Sequence, residues 1–275
     1  MIKEFRQYLQ FVKNYSDATV AGYCRDIKHF TRWAQQHIDD ARWSTITRDD
    51  IDAYVTWRAE NGKAPETTNR ELSSISALYK YMRRQGLKVE NPCKYESRRK
   101  LTETMPNTIP YNDLEKAYDK ACGATRFLLG LLITTGMRIG EVLAMEWEDV
   151  DFSSGRIKVH GKGARERIVI TSQEVLTVAA EAHAVAHPTG KMWTISQRTA
   201  RWMIYEALRE HTNAPQLSPH AIRHTVATHL AQRGVNTTTI AQILGHKNVE
   251  TTQRYINAAA IDASVALTNN NILKN

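Results

Sequence analysis

Between Gly86 and Pro110 the chain reads GLKVENPCKYESRRKLTETMPNTIP, with three prolines, several charges and few apolar residues. Proline removes a backbone donor, and its ring pushes the preceding residue toward extended conformations. No helix or central strand can run through such a stretch, so it reads as a linker with a separate core on each side. The chain has 275 residues, enough for two ordinary domains. The expected boundaries are a first domain over 1–90, a basic linker over 91–108 and a second domain over 109–275, tail included.

The first part is helical by pattern. FRQYLQFVKNY spaces Phe5, Tyr8, Leu9 and Val12 at helical intervals. The stretch from Ser16 to Gln36 does the same with Val20, Tyr23, Ile27, Phe30 and Trp33. TRDDIDAYVTWRAENG opens on Thr47 as N-cap with acids in its first turn, and it stops before Gly62. TTNRELSSISALYKYMRRQG is expected to start on a capping box from Thr68 to Glu71 and to end at Gly86. These make a four-helix N-terminal domain.

The second part is mostly helical, with one interruption. GRIKVHGKGARERIVIT alternates and is rich in Val and Ile on both sides of GKG, which predicts a β-hairpin with Lys162 at or near its turn. SPHAIRHTVATHLAQRG places Ser218 at N-cap and Pro219 at the first helical position, and Gly234 ends the helix. A short helix follows from Asn236 to Gly245. The fold class is therefore mainly α with a small β-hairpin or sheet, in two domains.

Composition narrows the partner. The net charge is +8, which favours a polyanion, nucleic acid before membrane. Residues 1–100 hold 19 basic and 13 acidic side chains, whereas the rest hold 18 and 16. Eight of the basic residues crowd between Lys80 and Lys100, against two acids. Arg83, Arg84, Arg98, Arg99 and Lys100 are the candidate DNA contacts, since a basic hinge between domains can wrap a duplex. Three scattered cysteines, Cys24, Cys93 and Cys122, give neither a disulfide framework nor zinc spacing and fit a reducing compartment. The N-terminus lacks the apolar core of a signal peptide, and nothing approaches a membrane span, so a soluble cytoplasmic protein is expected.

Several polar residues sit where an ordinary core or surface does not need them. Arg138 follows a glycine break at the start of a helix and has Glu141 as its natural ion-pair partner. His220 and Arg223 share one face at a helix N-terminus, where free N–H groups and the dipole favour a phosphate. His246 lies just past a helix end, and Tyr255 follows among threonines, a glutamine and an arginine. Each alone has a bland explanation. Together two arginines, a lysine, two histidines and a tyrosine suit phosphodiester chemistry without a metal. Guanidinium forks match the non-bridging oxygens, a lysine or histidine can protonate a leaving oxygen, and a phenol can attack. His220 and His224 are four apart, but Ala221 stands where a zinc site's glutamate would be, so no metal or other cofactor is expected. His224 reads as structural, and His229 is assigned nothing.

The segments TGMRIGEVLAMEWEDVD, GKGARERIVI, SPHAIRHTVATHLAQRG and LGHKNVETTQRYIN, in that order, resemble the tyrosine recombinases, the phage-integrase and Xer-type site-specific recombinases. The N-terminal helices resemble that family's core-DNA-binding domain, so the likeness covers nearly the whole chain, and the second part would be the mixed α/β catalytic domain. Ile170 stands where many members have proline, which touches strand geometry and not chemistry. The extra arm-binding domain of larger integrases is not expected, because the first helix begins at once. The resemblance implies Tyr255 as nucleophile forming a 3′-phosphotyrosyl link and Arg138 and Arg223 as the clamp on the scissile phosphate. It implies Lys162 as proton donor to the 5′-oxygen, His220 and His246 as assisting groups, and Glu141 as a supporting acid. It also implies double-stranded recombination sites as partner and a tetramer, of this chain alone or with a related recombinase. The apolar segment INAAAIDASVALTNNN would dock on a neighbour or pack on its own chain. Two alternatives share parts of this pattern: a type IB topoisomerase, and a DNA-binding relative without catalysis.

Overall fold

The computed structural model of the chain describes residues 1–93, 98–101, 107–161, 166–186 and 188–245. The chain divides into two compact units, Met1–Glu103 and Thr104–Asn275.

In the first unit, α1 (Ile2–Gln7) passes into one π turn (Tyr8–Val12), and α2 (Asp17–His37), α3 (Arg48–Glu60) and α4 (Pro65–Arg84) follow. Ser16 caps α2 by accepting the Thr19 N–H, and Thr47 and Asp50 cap α3 reciprocally. The helices enclose Phe5, Leu9, Ile27, Phe30, Ile51, Tyr54, Leu72, Ile75, Leu78 and Met82, each at most 2% exposed. Burial of each such side chain contributes roughly 1.5–3 kcal/mol. The π turn changes the helical phase, so Val12, expected inward, is 60% exposed.

The start of α4 also differs from expectation. It begins at Pro65, whose fixed φ suits the first helical position, and not at a Thr68–Glu71 box. Thr68 and Glu71 are both buried inside the helix. The Glu71 carboxylate instead accepts from Arg58 Nε and from the Tyr54 hydroxyl, each at 2.8 Å. Removing one partner of such a buried pair leaves an uncompensated charge, at about 3–5 kcal/mol.

The second unit is built around α6 (Gly123–Thr135), buried from Phe127 to Leu132 and packed by α5 (Tyr111–Lys120), α8 (Gln173–Ala186), α9 (Gln197–Leu208) and α10 (Pro219–Gln232). Apolar residues run around this middle stretch, as befits a segment enclosed on every side. An added Cβ at Gly130 would meet Val175 and Tyr118 at 2.8–2.9 Å, so glycine lets α8 approach. A three-stranded antiparallel sheet, β1 (Val150–Asp151), β2 (Arg156–His160) and β3 (Glu166–Ile170), lies beside this bundle. The β2–β3 pair is the expected hairpin; β1 adds two residues too short to show a period. The short helices α7 (Ile139–Leu143) and α11 (Thr237–Leu244) complete the unit. His229 stacks on Tyr111 at 3.9 Å, a packing contact between α5 and α10. Among the described residues no helix is long and apolar enough to cross a membrane.

Candidate active site

Two left-handed glycines set the frame. Gly136 ends α6 at φ +60° and Gly245 ends α11 at φ +66°, a conformation that costs other L-residues roughly 1–2 kcal/mol. Both helix ends leave carbonyls without partners in their own helices. Arg223, on the first turns of α10 and only 2% exposed, donates to Gly136 O at 2.7 Å and to Leu244 O at 2.6 Å. Its guanidinium therefore ties the C-termini of α6 and α11 together. Ser218 caps α10 by accepting the Ala221 N–H at 3.2 Å, and Pro219 is at the first helical position.

Arg138 is the N-cap of α7. Its backbone N–H donates to Glu141 Oε2 and its Nη1 to Glu141 Oε1, both at 2.9 Å, while Nη2 reaches Gly245 O at 3.4 Å. Its side chain remains 47% exposed, so one of the two clamp arginines presents an open face. Glu141 is 10% exposed and also accepts from Arg167, at 3.1 Å from Nη1 and 2.8 Å from Nη2. Burial alone would raise the Glu141 pKa. The Arg167 hydrogen bonds, the Arg138 amide and the arginine charges outweigh it and hold the carboxyl at about 2.

His220 projects from the first turn of α10 with part of its surface open to solvent and part covered, its ring edge-on to His224 at 4.2 Å between centroids. Partial burial, and then the charges of Arg223 and Arg138, lower its pKa below the ordinary histidine value. The described residues thus bring Arg138, Glu141, His220 and Arg223 to one place, where guanidiniums outnumber carboxylates. Lys162, His246 and Tyr255 lie outside the described residues, as does the apolar C-terminal segment.

Sequence reasoning missed Arg167, although a signal existed. On β3 the odd positions Arg167 and Val169 share the inward face, and an inward arginine on a strand needs a carboxylate. It also missed the basic face of α2. Arg25, Lys28 and Arg32 recur at helical spacing and, with Arg6, line a groove of about 440 Å³ in the first unit. The sequence drew attention to charge runs, and these cations are dispersed by the helical period. In the second unit, α9 exposes Arg198, Arg201, Trp202 and Tyr205 along one side.

Of the five basic residues named as DNA contacts, Arg83 and Arg84 end α4 with exposed side chains, and Lys100 is exposed. Arg98 is exposed as well and Arg99 half-buried, and both bond back to the helical part of the first unit. The Asn69 side-chain amide donates to Arg99 O at 2.8 Å and accepts from Arg99 N–H at 2.9 Å. Arg98 donates to Ser73 Oγ at 3.0 Å and Arg99 to Lys63 O at 2.6 Å.

Comparison with known proteins covers both units. The phage integrase family matches residues 107–261, and the N-terminal SAM-like domain of phage integrases matches residues 2–86. The tyrosine recombinase XerC of Bacillus pumilus is 28% identical, over 93% of this chain and 90% of that protein. XerC of Chlamydia pneumoniae is 29% identical, over 92% and 93%. Among solved structures, the XerH recombinase bound to a palindromic difH substrate shares the fold, with a TM-score of 0.75 and 16% identity over 98% of this chain and 84% of that one. A lambda integrase dimer on a COC′ core site superposes with a TM-score of 0.69 at 17% identity, over 93% and 75%. With the family model covering more than half of its length, the chain belongs to the phage integrase family, the tyrosine site-specific recombinases.

Proposed function

We propose that this chain binds double-stranded recombination sites and exchanges their strands through a covalent bond to Tyr255. The Tyr255 phenolic oxygen attacks the scissile phosphorus while its proton passes to a nearby base, for which His220 and His246 are the candidates. The bond from phosphorus to the 5′-oxygen breaks, and Lys162 supplies the proton that this oxygen takes up. A 3′-phosphotyrosyl link and a free 5′-hydroxyl result. The 5′-hydroxyl of a partner strand then attacks the phosphotyrosine and releases Tyr255, so one phosphoester is exchanged for another and no energy source is consumed. Arg138 and Arg223 neutralise the charge that grows on the non-bridging oxygens.

The observation that carries the reading is the meeting of Arg138 and Arg223 at adjacent carbonyls of the α11 end, Gly245 O and Leu244 O. One of these guanidiniums is open to a ligand, and the chain continues from that point into His246 and Tyr255. The basic groove on α2 and the cations Arg83, Arg84, Arg98, Arg99 and Lys100 supply phosphate contacts for duplex binding. We further assign the units a division of labour, with 1–90 holding DNA, 91–108 connecting and 109–275 carrying the chemistry. A tetramer on paired sites, of one chain or with a related recombinase, completes the scheme, acting in the cytoplasm on mobile or chromosomal DNA.

A plasmid assay tests it. A supercoiled plasmid carrying two copies of a bound site should give deletion or inversion products, and a plasmid without sites should stay supercoiled. Relaxation of any plasmid would mark a topoisomerase. Binding without either product, with every candidate partner recombinase supplied, would mark a non-catalytic binder.

A further inference from the structure

Three consecutive carbonyls at the end of α11 each accept from a different arginine: Ile243 O from Arg167 Nε at 3.2 Å, Leu244 O from Arg223 at 2.6 Å, and Gly245 O from Arg138 at 3.4 Å. Two of these arginines are the proposed phosphate clamp. The third, Arg167, is 16% exposed and faces inward from β3. It meets both Glu141 oxygens and lies so close to Gly245 that a Cβ there would stand 2.9 Å from its Nη1. A half-buried arginine with three bonds and a glycine shaped around it is fixed in place, and it is bonded to both things the clamp must keep in register. Those are the carboxylate that orients Arg138 and the helix end from which the His246–Tyr255 segment departs.

We infer that Arg167 is a positioning residue, which shares Glu141 with Arg138 and joins the phosphate clamp to the end of α11. The inference rests on the functional reading above. Its physical basis is charge balance as much as geometry. With Arg167 present, one carboxylate serves two guanidiniums, and Arg138 keeps positive charge for a phosphate. Without it, Glu141 and Arg138 form a private, neutral pair, and the carboxylate competes directly with the phosphate for the same guanidinium. The Ile243 O anchor is lost at the same time, so the nucleophile-bearing segment and the clamp no longer share a fixed frame. Misplacement of reacting groups by about 1 Å costs on the order of 100-fold in rate.

The test uses the full-length protein on a nicked duplex of its own site, with wild type, Arg167→Ala, Arg167→Lys and Arg138→Ala compared for DNA affinity, melting temperature and rate of first-strand cleavage. A second duplex carries a methylphosphonate at the scissile position, which removes the negative charge that the clamp serves. Both Arg167 variants should bind DNA like wild type and cleave the normal duplex roughly 100-fold more slowly, the scale of a misplaced reacting group. Lysine should not restore the rate, because it keeps the charge and loses the fork. On the methylphosphonate Arg167→Ala, like Arg138→Ala, should recover the part of its deficit that comes from lost positive charge, whereas Arg167→Lys, which keeps the charge, should recover little. A wild-type rate in either variant would overturn the inference. So would an Arg167→Ala deficit equal on both duplexes, or loss of folding in both variants, since Arg167 would then hold the domain and not the clamp. A wild-type protein that never forms a tyrosyl adduct would overturn the functional reading, and this inference with it.

Discussion

The Glu141 carboxylate gives a prediction whose size and pH dependence both follow from its surroundings. Glu141→Gln removes a charge that is 10% exposed and bonded to Arg138 and Arg167, and leaves Arg167 inside the domain without its anion. The folded pKa is lowered from 4.5 to about 2, a difference worth about 3 kcal/mol at neutral pH. The folded value lies below the unfolded one, so this stabilisation is complete above the unfolded pKa and is lost as pH falls through the folded pKa. The glutamine has no such titration. The gap between wild type and variant should therefore be about 3 kcal/mol at pH 7, smaller by about 1 kcal/mol at pH 4 and by about 2 kcal/mol at pH 3. Native-state hydrogen exchange of the α6 amides, followed against urea, reports on the second unit alone. A gap below about 0.5 kcal/mol at pH 7, the scale of an ordinary surface change, or one that does not change with pH, would refute the reasoning.

Three further outcomes follow from the same geometry. Gly245→Ala, at φ +66° with its Cβ aimed at the Arg167 guanidinium, should cost at least about 1–2 kcal/mol in the same exchange experiment; a neutral effect would contradict the packing described. Replacing Arg25, Lys28 and Arg32 together by alanine should weaken DNA binding in fluorescence anisotropy and flatten the slope of log K against log[salt] by about 0.9 for each phosphate no longer neutralised. An unchanged slope would remove the α2 face from the interface. In an NMR titration of the free protein the His220 imidazole should have a midpoint below 6.5, since its neutral form is favoured by burial and by the Arg223 and Arg138 charges. Arg138→Ala should move that midpoint upward; a midpoint at or above 6.5 in wild type would show that burial and the two guanidiniums do not govern it.

What was legible in the sequence depended on whether a signal was local. Ser16, Thr47, Ser218 and Asn236 each cap a helix through a side chain within three residues, and Gly136, Gly234 and Gly245 stop helices by their own backbone preference. The β2–β3 hairpin showed its period directly. The π turn at Tyr8–Val12 left no mark, because it keeps helical composition while changing phase. The Thr68–Glu71 box misled for a related reason: its pattern is local, but Glu71 is claimed by Arg58 and Tyr54, 13 and 17 residues away. In the site, the ordered motifs were enough to single out Arg138, Glu141, His220 and Arg223. Arg167 was hidden because its role is defined by Glu141, 26 residues earlier, and by a helix end 76 residues later. Long-range partners of this kind are a property of the tertiary structure.

The most direct measurement is the identity of the covalent bond. A nicked duplex built from DNA flanking the protein's own gene lets a short fragment diffuse away after cleavage and traps the intermediate. The proposed chemistry predicts an SDS-resistant adduct whose peptide mass maps to Tyr255 and which vanishes in Tyr255→Phe while DNA binding persists. An adduct on another residue, or one that survives in Tyr255→Phe, would contradict it.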